Sequence, residues 1–308
     1  MASLPFRVFN RILIRYSNAL FRSVLTTPPV QTDPSCDIIA YSILCKRDVR
    51  AYLLSAKSFL RYCPPLNVVV QSDGSLDPPA CQELRAHVKN LVILTRESTE
   101  EFLRQRLSAP LLHLISETNF WVELKLLNPL FRYPGKYVMH LDSDLLFLRR
   151  PDAVVECLTA SPPRTFHSPG GNVLANAFHD IGFDFSKVDI RSFNAGFMGF
   201  VNRFPDDAVA SIAAAIRTYD PSLLKVWDVE QAIWSVLLNQ CPNPLNLGTF
   251  GRDYVGNGWA SYAALRDKAT LVHFIGATRF RNLMYLRFAR RTVHALRADS
   301  ARCRALNT

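Results

Sequence analysis

The chain has 308 residues, 49% of them hydrophobic, with a net charge of +10 and seven cysteines. That length and apolar content support a large core, read as one sizeable α/β domain, although two would also fit. The cysteines form no CxxC pair, which argues for reduced thiols in a cytosolic compartment and against a disulfide framework or a zinc site. Charge is concentrated at the ends. Residues 1–30 hold four Arg and no acid, residues 277–308 hold eight Arg and one Asp, and the body between them is close to neutral. A nucleic-acid binder would spread basic side chains over a groove or sheet face, so nucleic acid is not an expected partner.

In chain order, residues 1–30 form a basic amphipathic segment. At 100° per residue, Arg7, Arg11, Arg15 and Arg22 share an arc of about 80°, opposite Phe6, Phe9, Leu13, Tyr16, Leu20 and Val24. No apolar run of signal-peptide type and no span of ~20 apolar residues is present. A helix lying in an anionic membrane interface, a helix packed on the domain, and an Arg-rich transit peptide all fit the pattern.

Residues 37–44 read as a first core strand and 47–62 as a helix stopped by Pro64-Pro65. Residues 67–71 (NVVVQ) are a second strand, closed by Ser72-Asp73-Gly74-Ser75. A helix near 79–89, a third strand at 91–94 and helices over 98–107 and 111–128 follow. This β-α-β-α-β order predicts a doubly wound, mostly parallel sheet with its ligand beyond the carboxyl ends of the strands. A strand at 136–141 then runs into Asp142. Beyond it, 160–192 reads as irregular loop, 193–201 as a strand, 206–218 and 229–239 as helices and 269–275 as a last strand. The C-terminal helix has Tyr285, Ala289, Val293 and Leu296 on one face and Arg287, Arg290, Arg291, His294 and Arg297 on the other. The expected organisation is therefore a terminal segment 1–30, a catalytic domain 31–280 and a basic helix 281–308.

The chemistry centres on Asp142-Ser143-Asp144. Two carboxylates at the end of the hydrophobic run KYVMHL are costly to bury unless they are paired or hold a cation. Alternate side chains of extended backbone share a side, so Asp142 and Asp144 can converge on one hard cation that also bridges phosphate oxygens. Two solvated Asp residues in a turn are the plainer alternative.

The segment HLDSDLLFLRRP resembles the DxD segment of nucleotide-sugar glycosyltransferases of the GT-A fold. The similarity is to the group of glycogenin and the lipopolysaccharide galactosyl- and glucosyltransferases. Three further segments follow in that family's order: Phe193-Asn194-Ala195-Gly196-Phe197, Asp228-Val229-Glu230-Gln231-Ala232 and Val272-His273-Phe274-Ile275-Gly276. The resemblance spans about residues 37–285. It implies a GT-A fold and transfer of a sugar from a nucleotide-sugar, UDP-sugar first, to a glycan or lipid-linked acceptor, with retention favoured. It implies Mn2+ or Mg2+ held by Asp142, Asp144 and His273. Donor contacts fall on Ser42, Asp73, Asn194, Gly196, Gly276 and Arg279, with Lys125 or Arg252 as further positive charge. Asp228, Glu230 and Gln231 would act at the transferring sugar. The sequence departs from the family pattern after Gly276, where Ala277-Thr278-Arg279-Phe280 replaces the usual Lys-Pro-Trp.

The basic ends place this activity at the cytoplasmic face of a membrane as a peripheral protein, with 160–192 shaping the acceptor pocket. Two alternatives differ in class. A haloacid dehalogenase-type phosphatase also uses DxD, but on the first core strand. A catalytically inactive GT-A scaffold would keep the fold without metal-dependent nucleotide binding.

Overall fold

A computed structural model describes residues 4–172, 174–205, 207–256, 261–276 and 279–306. Its strands, in chain order, are β1 Val30–Gln31, β2 Ile38–Leu44, β3 Asn67–Ser72, β4 Val88–Lys89, β5 Val92–Leu94 and β6 Tyr137–Leu141. They continue as β7 Leu145–Phe147, β8 Phe166–Ser168, β9 Asn194–Val201, β10 Leu245–Asn246, β11 Tyr254–Gly256 and β12 Leu271–His273.

The main sheet has the order β10-β8-β9-β6-β2-β3-β5. Strands β6, β2, β3 and β5 run parallel. Strand β9 inserts antiparallel against both β6 and β8. Both faces are covered, and the period-two alternation of strand side chains divides the core. Along β2, Ala40 and Leu44 join the cluster under the helices Val49–Leu60 and Met284–Leu306. Ile39 and Tyr41 point the other way, into the cluster with the helices Ala208–Tyr219 and Val229–Asn239.

A second sheet of three short strands, β11-β12-β7, stands beside the end of β6. Strand β12 pairs antiparallel with β7, and His273 lies opposite Leu145. Phe274 N donates to Asp144 O at 2.8 Å, which extends that pairing to the DxD turn. A residue 129 positions later in sequence is thereby fixed next to Asp144.

One expected element differs. The helix expected over 111–128 is broken: Ala109–Glu117 ends at Thr118, and Asn119 Oδ1 accepts from Trp121 N at 3.0 Å to start a new helical run. That run contains a π-helical stretch, Val122–Leu127. The C-terminal helix Met284–Leu306 lays the apolar face expected for it against the rest of the fold. Its Tyr285, Phe288, Ala289 and Val293 belong to the main core, and Leu296 is buried as well. Among the described residues, no helix is long and apolar enough to cross a membrane. Cys36, Cys45, Cys63, Cys81, Cys157 and Cys241 are free thiols.

Candidate active site

The carboxyl ends of β2, β3 and β6 open into a cavity of about 850 Å³. Asp142, Asp144 and His273 meet on its wall, each offering a ligand atom within 4.8 Å of the others. Sequence periodicity gave the wrong geometric reason for this convergence. Asp142 lies just past β6, and Ser143 and Asp144 form the turn into β7, so the pair is not in extended strand. Backbone and hydroxyl bonds fix the turn. Asp142 N donates to Gly196 O at 2.9 Å. Ser55 Oγ donates to Asp142 O at 2.9 Å, and Ser42 Oγ to Leu141 O at 2.6 Å.

Gly196 is required here by space. A Cβ at that position would come within 2.5 Å of both Asp142 Oδ2 and His273 Cε1. Its amide donates to Asn194 Oδ1 at 2.8 Å, so the Asn194-Ala195-Gly196 bend wraps the carboxylate cluster. Asn194 and Gly196 both line the cavity. Gly276, at φ +39°, lines it too, in a left-handed conformation that favours glycine.

Cations of the chain itself face the carboxylates. Arg279 is buried and donates from Nη2 to Asp144 Oδ2 at 2.8 Å and from Nη1 to Asp48 Oδ1 at 3.0 Å. Burial pushes the Asp144 carboxyl up, but the charges of Arg279 and His273 outweigh it and hold the group below its ordinary value. Lys125 Nζ lies 3.2 Å from Asp142 Oδ1 and 3.7 Å from Glu230 Oε1. Burial would lower the Lys125 ammonium, yet Asp142 and Glu230 raise it, so it stays charged. Glu230 is the group left near neutrality. Burial pushes its carboxyl to about 7, with Lys125 pulling the other way.

The remaining expected residues divide. Gln231 lines the cavity and is tied to the structure behind it, with Oε1 accepting from Ala195 N at 3.3 Å and Nε2 donating to Gly171 O at 3.1 Å. Asp73 lines the cavity and also caps its own turn, accepting from Ser75 N at 2.9 Å. Two expectations need correction. Ser42 does not face the cavity, because strand alternation turns Ile43 toward it and buries the Ser42 hydroxyl against Leu141 O. Asp228, at 2% exposure, sits behind the wall as the first residue before the helix Val229–Asn239, its backbone carbonyl accepting from Asn172 Nδ2 at 3.1 Å. The side chain of Arg252, and Ala277 and Thr278, lie outside the described residues.

The stretch 160–192 was expected to shape the cavity. Among the described residues it contributes none of the lining, and its Gly171 and Asn172 instead support the segment 228–231 from behind. Asp48, missed in the sequence, is the second carboxylate of Arg279. Its signal was slight: one acid after two basic residues at the end of β2, Lys46-Arg47-Asp48.

The cluster fits a divalent cation on its own evidence. Two carboxylates and an imidazole supply hard oxygen and borderline nitrogen donors. The buried His273 Nδ1 has no hydrogen-bond partner, and the space beside the cluster is one that a single Cβ would fill.

No protein-family model matches the chain, and no curated protein matches it in sequence. Solved structures do. The galactosyltransferase LgtC, in complex with donor and acceptor sugar analogues, superposes with a TM-score of 0.51 at 12% identity, covering 84% of this chain and 95% of that one. Mouse xyloside xylosyltransferase 1 in its apo form gives 0.49 at 11% identity, covering 81% and 99%. The first likeness, with the mixed sheet and flanking helices described above, shows that this chain has the GT-A fold.

Proposed function

We propose that this protein is a glycosyltransferase that moves a sugar from a nucleoside-diphosphate sugar, UDP-sugar first, to a glycan or lipid-linked acceptor. The observation carrying this reading is the meeting of Asp142, Asp144 and His273 on the wall of a cavity at the carboxyl ends of parallel strands. Those three residues would hold Mn2+ or Mg2+. A cation bound there supplies Lewis-acid stabilisation of charge on the departing diphosphate.

The chain's own residues do the rest. Arg279, now shared between Asp48 and Asp144, is within reach of a diphosphate and offers a planar pair of donors. Gly276 permits close backbone approach to that group. Lys125 ties the DxD turn to Glu230 and orients both. Glu230 and Gln231, at the start of a helix and in the cavity lining, would fix the hydroxyls of the transferring sugar. Retention at the anomeric carbon, the outcome implied by the family resemblance, is read from the anomeric coupling of the product.

The reading includes a place of work, the cytoplasmic surface of an anionic membrane. The helix Leu4–Arg15 leaves Val8, Phe9 and Ile12 about half exposed beside Arg7, Arg11 and Arg15. Apolar side chains flanked by guanidinium groups suit the headgroup boundary of such a bilayer.

The experiment is thermal stability of the purified protein with UDP, GDP, CDP and dTDP, each with and without Mn2+. The expected result is stabilisation by one nucleotide, dependent on metal and lost in Asp142→Asn, of roughly 2–3 kcal/mol at about a hundredfold excess over Kd. Equal stabilisation with and without metal would remove the cation from the proposal. No response to any nucleotide would remove the transferase.

A further inference from the structure

Trp227 is 63% exposed, the highest value for any large hydrophobic side chain among the described residues. It is no stray surface residue, since it lines the cavity together with Phe120 and Trp121. An indole left in water on the lining of a cavity that also holds charged side chains is a feature that a ligand would explain and packing does not.

The three rings belong to two arms joined at both ends. At the outer end, a single side chain fastens the arms: Asn119 Nδ2 donates to Val226 O at 3.5 Å, while Asn119 Oδ1 accepts from Trp121 N at 3.0 Å. At the inner end, Lys125 Nζ and Glu230 Oε1 approach to 3.7 Å. Trp121 precedes Lys125 by four residues on a helical run, and Trp227 precedes Glu230 by three across a helix start. Each arm thus carries an aromatic ring at the mouth and a charged group at the floor. Phe120 and Trp121 hold each other, with ring centroids 4.6 Å apart and planes inclined by 31°.

We propose that Trp227, which shares the cavity lining with Phe120 and Trp121, is the acceptor subsite, and that the acceptor accordingly presents a pyranose ring to this protein. The proposal rests on the glycosyl-transfer reading above. A pyranose has one face lined by C–H bonds, weakly positive, which matches the negative face of an indole, and a rim of hydroxyls. Stacked on Trp227, its rim points inward to Glu230 and Gln231, where the donor sugar has to arrive. The nucleoside falls to Ile43, Cys45, Asp73 and Ser75, at and just past the carboxyl ends of β2 and β3, in the lining of the same cavity.

The chain has four tryptophans, so 19F NMR of the full-length protein labelled with 5-fluorotryptophan gives few signals, and Trp227→Phe assigns the one of interest. The probes are methyl glucoside, galactoside, mannoside and N-acetylglucosaminide, both anomers of each, added with and without UDP and Mn2+. The expected result is that at least one glycoside moves the Trp227 signal and that nucleotide with metal alone does not. Trp227→Ala should weaken that glycoside about tenfold, in keeping with the worth of one stacked ring. Trp227→Phe, which keeps an aromatic face, should stay within about threefold.

A Trp227 signal that no glycoside moves overturns the proposal, as does equal binding by Trp227→Ala. A signal that follows the nucleotide instead assigns the indole to the base and also overturns it. Metal-dependent nucleotide stabilisation, measured separately on the same variants, reports on the transferase reading alone. Its loss in wild type and its persistence without any sugar response are therefore distinct failures.

Discussion

The two ends of this chain look alike in sequence and behave differently in the fold. Both are Arg-rich helices with an apolar face. In the C-terminal helix that face is consumed: Tyr285 stacks on Phe274 at 4.2 Å and tilts against Phe21, and Phe288 packs near Tyr262 and Phe274. In the N-terminal helix only one flank is covered. Phe6, Leu13 and Ile14 are half-buried and Asn10 is buried, while Val8, Phe9 and Ile12 remain in solvent, followed by Tyr16 and Leu20. A helical wheel identifies an apolar face, but whether the face is covered depends on what the rest of the chain offers. The C-terminal helix found a shelf of aromatic rings. The N-terminal helix is held by Leu13 and Ile14, packed on the edge of the core, and by polar contacts from it and from the short helix Ser17–Leu20 that follows. Asn10 Oδ1 accepts from Phe280 N at 3.0 Å, and Ser17 Oγ donates to Arg47 O at 2.7 Å.

The largest effect should therefore come from the C-terminal face. Phe288→Ala removes a fully buried ring from the main core and should cost about 3–5 kcal/mol, lowering Tm by on the order of 10 °C in a calorimetric scan. A shift no greater than that of an exposed-site change would mean that this helix is as loosely held as its N-terminal counterpart.

Asn10→Ala should fall between the extremes. Asn10 is 2% exposed, and its loss leaves the buried amide of Phe280 without its acceptor, a cost of about 1–3 kcal/mol. That amide belongs to the residue after Arg279, and Asn10 Nδ2 lies 3.5 Å from Gly276 O. The substitution should accordingly weaken metal-dependent nucleotide binding as well as stability. A lower Tm with unchanged nucleotide affinity would show that the helix supports the fold without bracing the loop at the cavity.

This contact shows where sequence reading reached and where it stopped. The parallel strands β2, β3, β5 and β6 were legible because each is a short β-branched or apolar run closed by a turn. Asp142 and Asp144 were legible as carboxylates at the end of such a run, whereas His273, inside the expected strand 269–275, was singled out by the family resemblance. The pairing of β12 with β7, which brings His273 to Asp144, has no local signal, since it is a contact between short strands far apart in the chain. Lys125 was hard to place because a π-helical stretch sets its direction, and Tyr41 Oη, donating to Leu124 O at 2.6 Å, anchors that stretch from another strand. Ser42 carries the resemblance's donor contact no further, because strand alternation presents Ile43 to the cavity instead. His140 and His273 make the same point in a pair. Both sit on strands beside the DxD turn, but His273 reaches Asp144, whereas His140 is packed among Tyr41, Phe200 and Trp234, and burial drives its pKa well below the ordinary value. It is a core residue of the strand that ends in the site.

The smallest effect on stability, and the sharpest test of the contrast, is expected at the exposed face of the N-terminal helix. Ile12→Ser alters a side chain that is 49% exposed, so Tm should move by no more than the equivalent of about 0.5 kcal/mol. Co-sedimentation with vesicles containing phosphatidylserine should nevertheless fall severalfold, because that side chain would enter the headgroup boundary. Replacing Arg7, Arg11 and Arg15 by Gln should weaken the same binding by about 1 kcal/mol per residue and flatten its dependence on salt. Arg297 of the C-terminal helix donates from Nε to Thr26 Oγ1 at 3.0 Å, so the basic face of that helix adjoins the N-terminal segment and adds charge without adding an apolar surface. If Ile12→Ser left vesicle binding intact while removal of the arginines abolished it, the two ends would be equivalent after all, each a charged face only. If instead Ile12→Ser lowered Tm as far as Phe288→Ala, the N-terminal apolar face would be covered in solution and unavailable to a bilayer.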